Sequence, residues 1–336
     1  MKAMVLHEAG GPGALRLETV PDPVAGPGEV VVRVKAAALN HRDLWITKGQ
    51  YAGLRFPIIL GADGTGEVAQ VGPGGAGVEP GAPVIIYPSL DWGDDPRAQG
   101  PRFRILGLPD NGTFAEFVKV PAANVFPRPP HLSVDEAAAL PLAGLTAYRA
   151  LVTRGQVRRG ETVVAIGIGG GVATCALLIA RHFGARVLVT SGSDAKLDRA
   201  RALGAVGGFN YATADWVKGI REATNGQGAD LIIDGTGGAT FDKALDAARP
   251  GGRVVSYGAT AGAVPELAVR RIFWKQLNVL GSTMGAPEDF RGMLDTVGAG
   301  QLRPVVDRVF PLEEAPKALE RMEQAAQFGK IVLRVA

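Results

Sequence analysis

The stretch "VVAIGIGGGVATCALLIARHFGARVLVTSGSDAK", residues 163–196, decides the fold. An apolar run ends in Gly167, Gly169, Gly170 and Gly171; a long segment of helical periodicity follows, and a second apolar run closes on "VTSGS". Strand, sharp turn, helix and second strand in that order make a βαβ unit, the building block of a parallel sheet. Glycines at the turn let the backbone bend sharply and approach a ligand closely, and the helix points its positive N-terminus at the same place. A pyrophosphate fits such a turn. The spacing departs from G-x-G-x-x-G, because Val172 takes the last glycine position; it reads better as G-x-x-G-x-x-A, with Ala173 small enough for close helix-to-strand packing.

The end of the second strand selects the dinucleotide. A site for NAD carries an acid about 20 residues on to accept the ribose 2′-hydroxyl, whereas an NADP site replaces it with donors and positive charge. Here Thr190, Ser191, Gly192 and Ser193 supply hydroxyls and backbone N–H groups, and Lys196 supplies a charge. Asp194 could itself be the ribose acid of an NAD site; it reads better as the first-turn acid of the next helix, behind Ser193 as N-cap. The expected cofactor is therefore NADPH.

Outward from this stretch the chain has two characters. Residues 1–125 alternate short β-branched segments, "EVVVRVKAAAL", "GTGEVAQVG", "APVIIYP" and "GTFAEFVKV", with Gly and Pro turns, as an all-β unit does. Residues 126–267 repeat strand then helix: "ETVVAIG", "ARVLVTS", "ADLIIDG" and "RVVSYGA" each lead or follow a helical pattern. Residues 268–336 add "RIFWKQLNVLGSTMG", two helical patterns and the final strand "GKIVLRVA".

Composition sets the outer limits. The 336 residues are 46% hydrophobic and carry 36 Lys and Arg against 33 Asp and Glu, a net charge of +3 without a long basic run. That excludes disorder and disfavours nucleic acid as a partner. No apolar run approaches the roughly 20 residues of a membrane span, and the N-terminus has no signal-peptide pattern, so a cytoplasmic protein is expected. The single cysteine, Cys175, allows no internal disulfide and no thiolate zinc cluster.

The blocks "AALNHRDLWITKG", "LGADGTGEVAQVG", "DNGTFAEFVKVPAANVFPRP", "LPLAGLTAYRAL", the glycine turn and "LRPVVDRVFPLEEAPKALERM" with "GKIVL" resemble the medium-chain dehydrogenase/reductase superfamily along essentially the whole chain. The resemblance implies an α/β protein: a GroES-like β-rich catalytic domain made from both chain ends, with a doubly wound parallel-sheet Rossmann domain between them. It also implies a homodimer, with "RIFWKQLNVLGSTMG" covering a sheet edge, and a small-molecule substrate.

Within that superfamily the chain lacks the residues of the zinc enzymes. Asn40 stands where they have a Cys, Ala62 and Asp63 where they have Gly-His-Glu, and Leu142 where a third ligand lies; "SLDWGDDPRAQGPRFRILG" replaces the four-Cys structural loop. His41, Asp43 and Asp63 remain as the only candidate ligands there, and no metal is expected. Without a Lewis acid, a conjugated acceptor is the better substrate, since an enolate or hydroquinone anion spreads the charge left by hydride attack. The sequence therefore resembles the NADPH:quinone and 2-enoyl reductases. By that resemblance Asn40 lies near the nicotinamide, Trp45 stands where quinone reductases often carry a Tyr, and Tyr51 matches the enoyl reductases' proton donor; Asp43 completes the catalytic set. Tyr51 reads equally as a lining aromatic, and Thr146 as a nicotinamide neighbour or a packed helix residue. Tyr211, Thr236, Tyr257, Gly258, Ala259, Gly329 and Lys330 complete the cofactor set. Two other readings stay open: an alcohol dehydrogenase, and a cofactor-binding protein with little catalysis.

Overall fold

The quoted stretch folds as strand β1 (Thr162–Ala165), helix α1 (Gly171–His182) and strand β2 (Arg186–Ser191) in a computed structural model that describes residues 1–75 and 77–335. The same alternation continues through α2 (Asp194–Ala202), β3 (Gly207–Asn210), α3 (Trp216–Ala223), β4 (Ala229–Asp234), α4 (Gly238–Ala247), β5 (Ala248–Ser256), α5 (Val269–Trp274) and β6 (Asn278–Gly281). The strands lie in the order β3-β2-β1-β4-β5-β6 and every neighbouring pair is parallel. The order reverses between β1 and β4, where doubly wound sheets bind their ligands. β1 is buried at all four positions, as a strand covered on both faces must be. Val164, Ile166, Leu188, Ile232 and Val254 form one core with Trp216, Ile220, Phe241 and Leu245 of the helices.

The other unit is built around one ten-residue strand, Glu29–Ala38. Asp63–Val71 pairs antiparallel along one of its sides. On the other side Phe117–Pro121 pairs with its first half and the late strand Lys330–Arg334 with Ala36–Ala38, so this sheet is complete only when residues from both ends of the chain have met. Gly66 faces Val34 in that pairing, and a Cβ there would fall 1.9 Å from the carbonyl oxygen of Arg33, so only glycine lets the two strands approach. A smaller sheet sets Lys2–Leu6 between Leu15–Thr19 and Ile58–Ile59.

The contacts divide the chain into Met1–Ala143, Ala286–Leu294 and Arg303–Ala336 on one hand, and Gly144–Gly285 with Asp295–Leu302 on the other. These limits differ from the expected 125/126 and 267/268. Residues 126–143 stay with the β unit because Val125–Pro127 pairs with Pro83–Ile86 and because Ala138 and Ala139 pack on Ala36, Ala38 and Val332. Residues 268–285 stay with the parallel-sheet unit because β6 extends its sheet. Among the described residues no helix is long and apolar enough to cross a membrane.

Candidate active site

The glycine turn after β1 has the conformation its sequence requires. Gly167 and Gly169 adopt φ of 74° and 122°, where a side chain is strained, and Gly170 precedes α1 with no side chain capping the first amides. Thr190 ties the turn to β2: its carbonyl accepts from Ile168 N at 2.7 Å and its hydroxyl from Gly167 N at 3.2 Å. The first amides of α1 are thus left without a side-chain cap, which is the arrangement an anion-binding helix start needs.

Several expected cofactor residues surround it. The Lys196 side chain lies over Gly169, its Cδ 2.9 Å from where a Cβ would stand. The Tyr211 ring lies against Gly192, and Thr236 Oγ1 approaches Gly167. Ser193 precedes α2 without capping it, and the Ser191 hydroxyl accepts from Ser193 N at 3.2 Å. The Asp194 carboxylate is in the first turn of α2, accepting from Asn210 Nδ2 at 2.9 Å. The end of β2 therefore offers hydroxyls, amides and an ammonium.

At the carboxyl end of β4, buried Asp234 accepts from Thr236 N at 2.7 Å and Gly237 N at 3.1 Å; burial still raises its pKa above the usual carboxylate value. The Tyr257 ring covers Gly235, and burial, with the Asp234 charge nearby, holds its phenol proton on. Gly258 backs onto the Gly235 carbonyl and Ala259 onto Gly237. Val172 is in the first turn of α1, and Thr146 is buried on the helix Pro141–Tyr148.

In the β unit a closed polar cluster forms that local sequence did not announce. Asn40 precedes the short helix His41–Thr47, and its backbone N–H donates to Asp43 Oδ2 at 2.8 Å. Its side-chain Nδ2 donates to Asp63 Oδ2 at 3.0 Å. Lys330, only 4% exposed, donates to Leu39 O at 2.6 Å, Asn40 Oδ1 at 2.6 Å and Asp63 Oδ2 at 2.7 Å, which uses all three ammonium protons. Asp63 is fully buried and its other oxygen accepts from Leu142 N at 2.7 Å. Gly329 positions this lysine: its φ is 104°, and a Cβ would meet the Val305 carbonyl at 2.3 Å. A buried ion pair is stable only when so thoroughly hydrogen-bonded, and removal of one partner costs about 3–5 kcal/mol.

The cluster shapes its neighbours. His41 has a lowered pKa, first by burial and then by the Lys330 charge, and so is neutral at pH 7. Asp43 is fully buried with Oδ1 unpartnered, and burial pushes its carboxyl up to about 6. The Arg42 guanidinium donates to the carbonyls of Leu106 and Leu108 and lies 5.2 Å from the centre of the half-buried Tyr51 ring. Trp45 contacts His41, with ring centroids 6.0 Å apart. Among the described residues no group of three or more His, Cys, Asp or Glu side chains could hold a metal ion.

Asp63, by sequence a candidate metal ligand, and Lys330, by sequence a cofactor residue, pair with each other. The available signals were an acid after a Gly-Ala and a lysine after a glycine, each beginning a strand.

Two family models match: the alcohol dehydrogenase GroES-like domain over residues 26–130 and the zinc-binding dehydrogenase over residues 171–299. The chain is 36% identical to a zinc-type alcohol dehydrogenase-like protein, YogA, of Leptosphaeria maculans, over 96% of this chain and 94% of that protein. It is 31% identical to an acryloyl-coenzyme A reductase of Metallosphaera sedula, over 99% of each. The solved structure of an NAD-dependent alcohol dehydrogenase is similar over 100% of both chains, with a TM-score of 0.95 and 44% identity.

Proposed function

The chain belongs to the medium-chain dehydrogenase/reductase superfamily and is an oxidoreductase; from that premise we propose that it is a zinc-independent, NADPH-dependent reductase of conjugated carbonyl compounds, enones or quinones, working as a homodimer. The observation that carries this reading is the ammonium of Lys330 seated on Asp63. A zinc ion does not fit there. Asn40, Ala62 and Leu142 offer no thiolate or imidazole, and the Asp63 carboxylate already has three donors, one of them a cation. Without a metal, the favourable substrate is one whose product anion is delocalised.

The nucleotide fits the other unit: Gly167, Gly169 and the α1 N-terminus would hold the pyrophosphate, and Ser191, Ser193, Lys196 and Tyr211 the ribose phosphate. When bound, the nicotinamide supplies the hydride. The chain's own residues then have two tasks. Asn40 offers an amide N–H to the oxygen that gains charge, and Tyr51 delivers a proton. The reduction of a double bond conjugated to a carbonyl is also the chemistry in the name of the acryloyl-coenzyme A reductase relative.

The test combines elemental analysis with a substrate panel. No stoichiometric zinc, turnover of enones or quinones, and NADPH bound at least about tenfold more tightly than NADH, roughly 1.4 kcal/mol, are expected. One zinc per chain, with alcohol oxidation lost to chelators, favours the second reading, an alcohol dehydrogenase, which the name of the 44% identical structure supports.

A further inference from the structure

Asn40 has only one orientation compatible with its neighbours. An ammonium can only donate and an ionised carboxylate can only accept, so Oδ1 must face Lys330 and Nδ2 must face Asp63. One Nδ2 proton is thereby used. The second has no protein acceptor among the described residues, and the residue keeps 7% of its surface exposed. A flipped amide would set its oxygen against the Asp63 carboxylate and its NH2 group against the ammonium.

We infer that Lys330 is a positioning residue that fixes the Asn40 amide so that its second Nδ2–H faces the reacting oxygen, and that its charge strengthens this donor. The inference rests on the reductase reading above. The physical reason is polarisation along a hydrogen-bonded chain: a cation on the amide oxygen draws electron density from the amide nitrogen, making its N–H a better donor. A metal ion would act on the substrate oxygen directly; here a buried ammonium acts through one intervening amide. Asp63 holds the ammonium in place and takes the first amide proton, and Leu142 N holds Asp63. The ammonium itself, with three acceptors engaged, has no proton left to give.

The test uses the full chain in the double variant Lys330→Met/Asp63→Asn, which removes both charges together and leaves neither buried alone. The side-chain amide signals of Asn40, in protein labelled with 15N-asparagine and assigned with Asn40→Ser, read the orientation without any turnover. We expect these signals to move in the double variant, NADPH affinity to stay within about twofold, and kcat on an enone to fall about tenfold or more with KM for NADPH unchanged. Lys330→Arg, which retains a cation, should keep the Asn40 signals near their original positions and recover most of kcat; it also serves if the double variant does not fold. Unchanged amide signals and unchanged kcat in a folded double variant, or an Arg variant that behaves as the double variant does, would overturn the inference. If the unmodified chain reduces no conjugated carbonyl, the reductase reading fails, while the amide spectra still decide whether Lys330 orients Asn40.

Discussion

Tyr51 is the side chain whose role is easiest to test. Its ring is half-buried beneath Arg42, a place that suits a proton donor and a lining aromatic alike. If it delivers the proton, Tyr51→Phe should lower enone turnover roughly 10²-fold and quinone turnover much less, because a hydroquinone anion collects its proton from water. Equal turnover on enones, measured at saturating NADPH, would assign Tyr51 to lining alone. Asp43 gives a pH prediction. Its folded-state pKa, about 6, is above the ordinary 3.8, so the folded protein holds this proton more tightly than the unfolded chain. Ionising Asp43 therefore costs stability as pH rises from about 3.8 through 6, and the cost is fully present above that. Asp43→Asn should show a melting-temperature advantage over the wild type that grows between about pH 4 and pH 6 and is level above that in thermal scans; parallel curves would mean that this carboxyl titrates normally. Asn40, Asp43 and Tyr51 were singled out in the sequence because they fall in one short motif. The Asp63–Lys330 pair was not, because 267 residues separate its members and no spacing rule spans such a distance.

The glycine turn and α1 were legible because periodicity and turn chemistry are local. Their prediction is correspondingly local: Gly169→Ala should weaken NADPH binding at least about tenfold, since a Cβ at φ of 122° is strained and displaces Lys196. Unchanged affinity by titration would remove this turn from the nucleotide site. The limits of the units were less legible. The helix Val134–Ala138 has the look of the helical half of the sequence, yet its alanines are small so that it can lie close on Ala36 and Ala38. Strand β6 follows a helix with no buried residue, and only its pairing with β5 assigns it to the parallel sheet.

At the scale of the whole molecule, β6 is a sheet edge, and the adjoining α5 leaves Phe273 and Trp274 64% and 74% exposed. Single exposed apolar residues are ordinary; two large aromatics beside Val269 and an unpaired edge are what a two-fold contact would cover. Trp274→Asp should convert a dimer into a monomer of unchanged helical content by light scattering and circular dichroism. A wild-type monomer across micromolar concentrations would refute the homodimer. The late strand Lys330–Arg334 carries a further consequence, one of timing. During translation Lys330 emerges 267 residues after Asp63, an interval of tens of seconds at roughly 5–20 residues per second. The parallel-sheet unit, Gly144–Gly285 with Asp295–Leu302, is made wholly in between and has time to fold first. Until the last strand docks beside Ala36–Ala38, Asp63 has no ammonium and Asn40 has no fixed orientation. On the reading proposed above, a chain halted short of Lys330 would lack the ammonium that fixes Asn40 although its parallel-sheet unit is already complete.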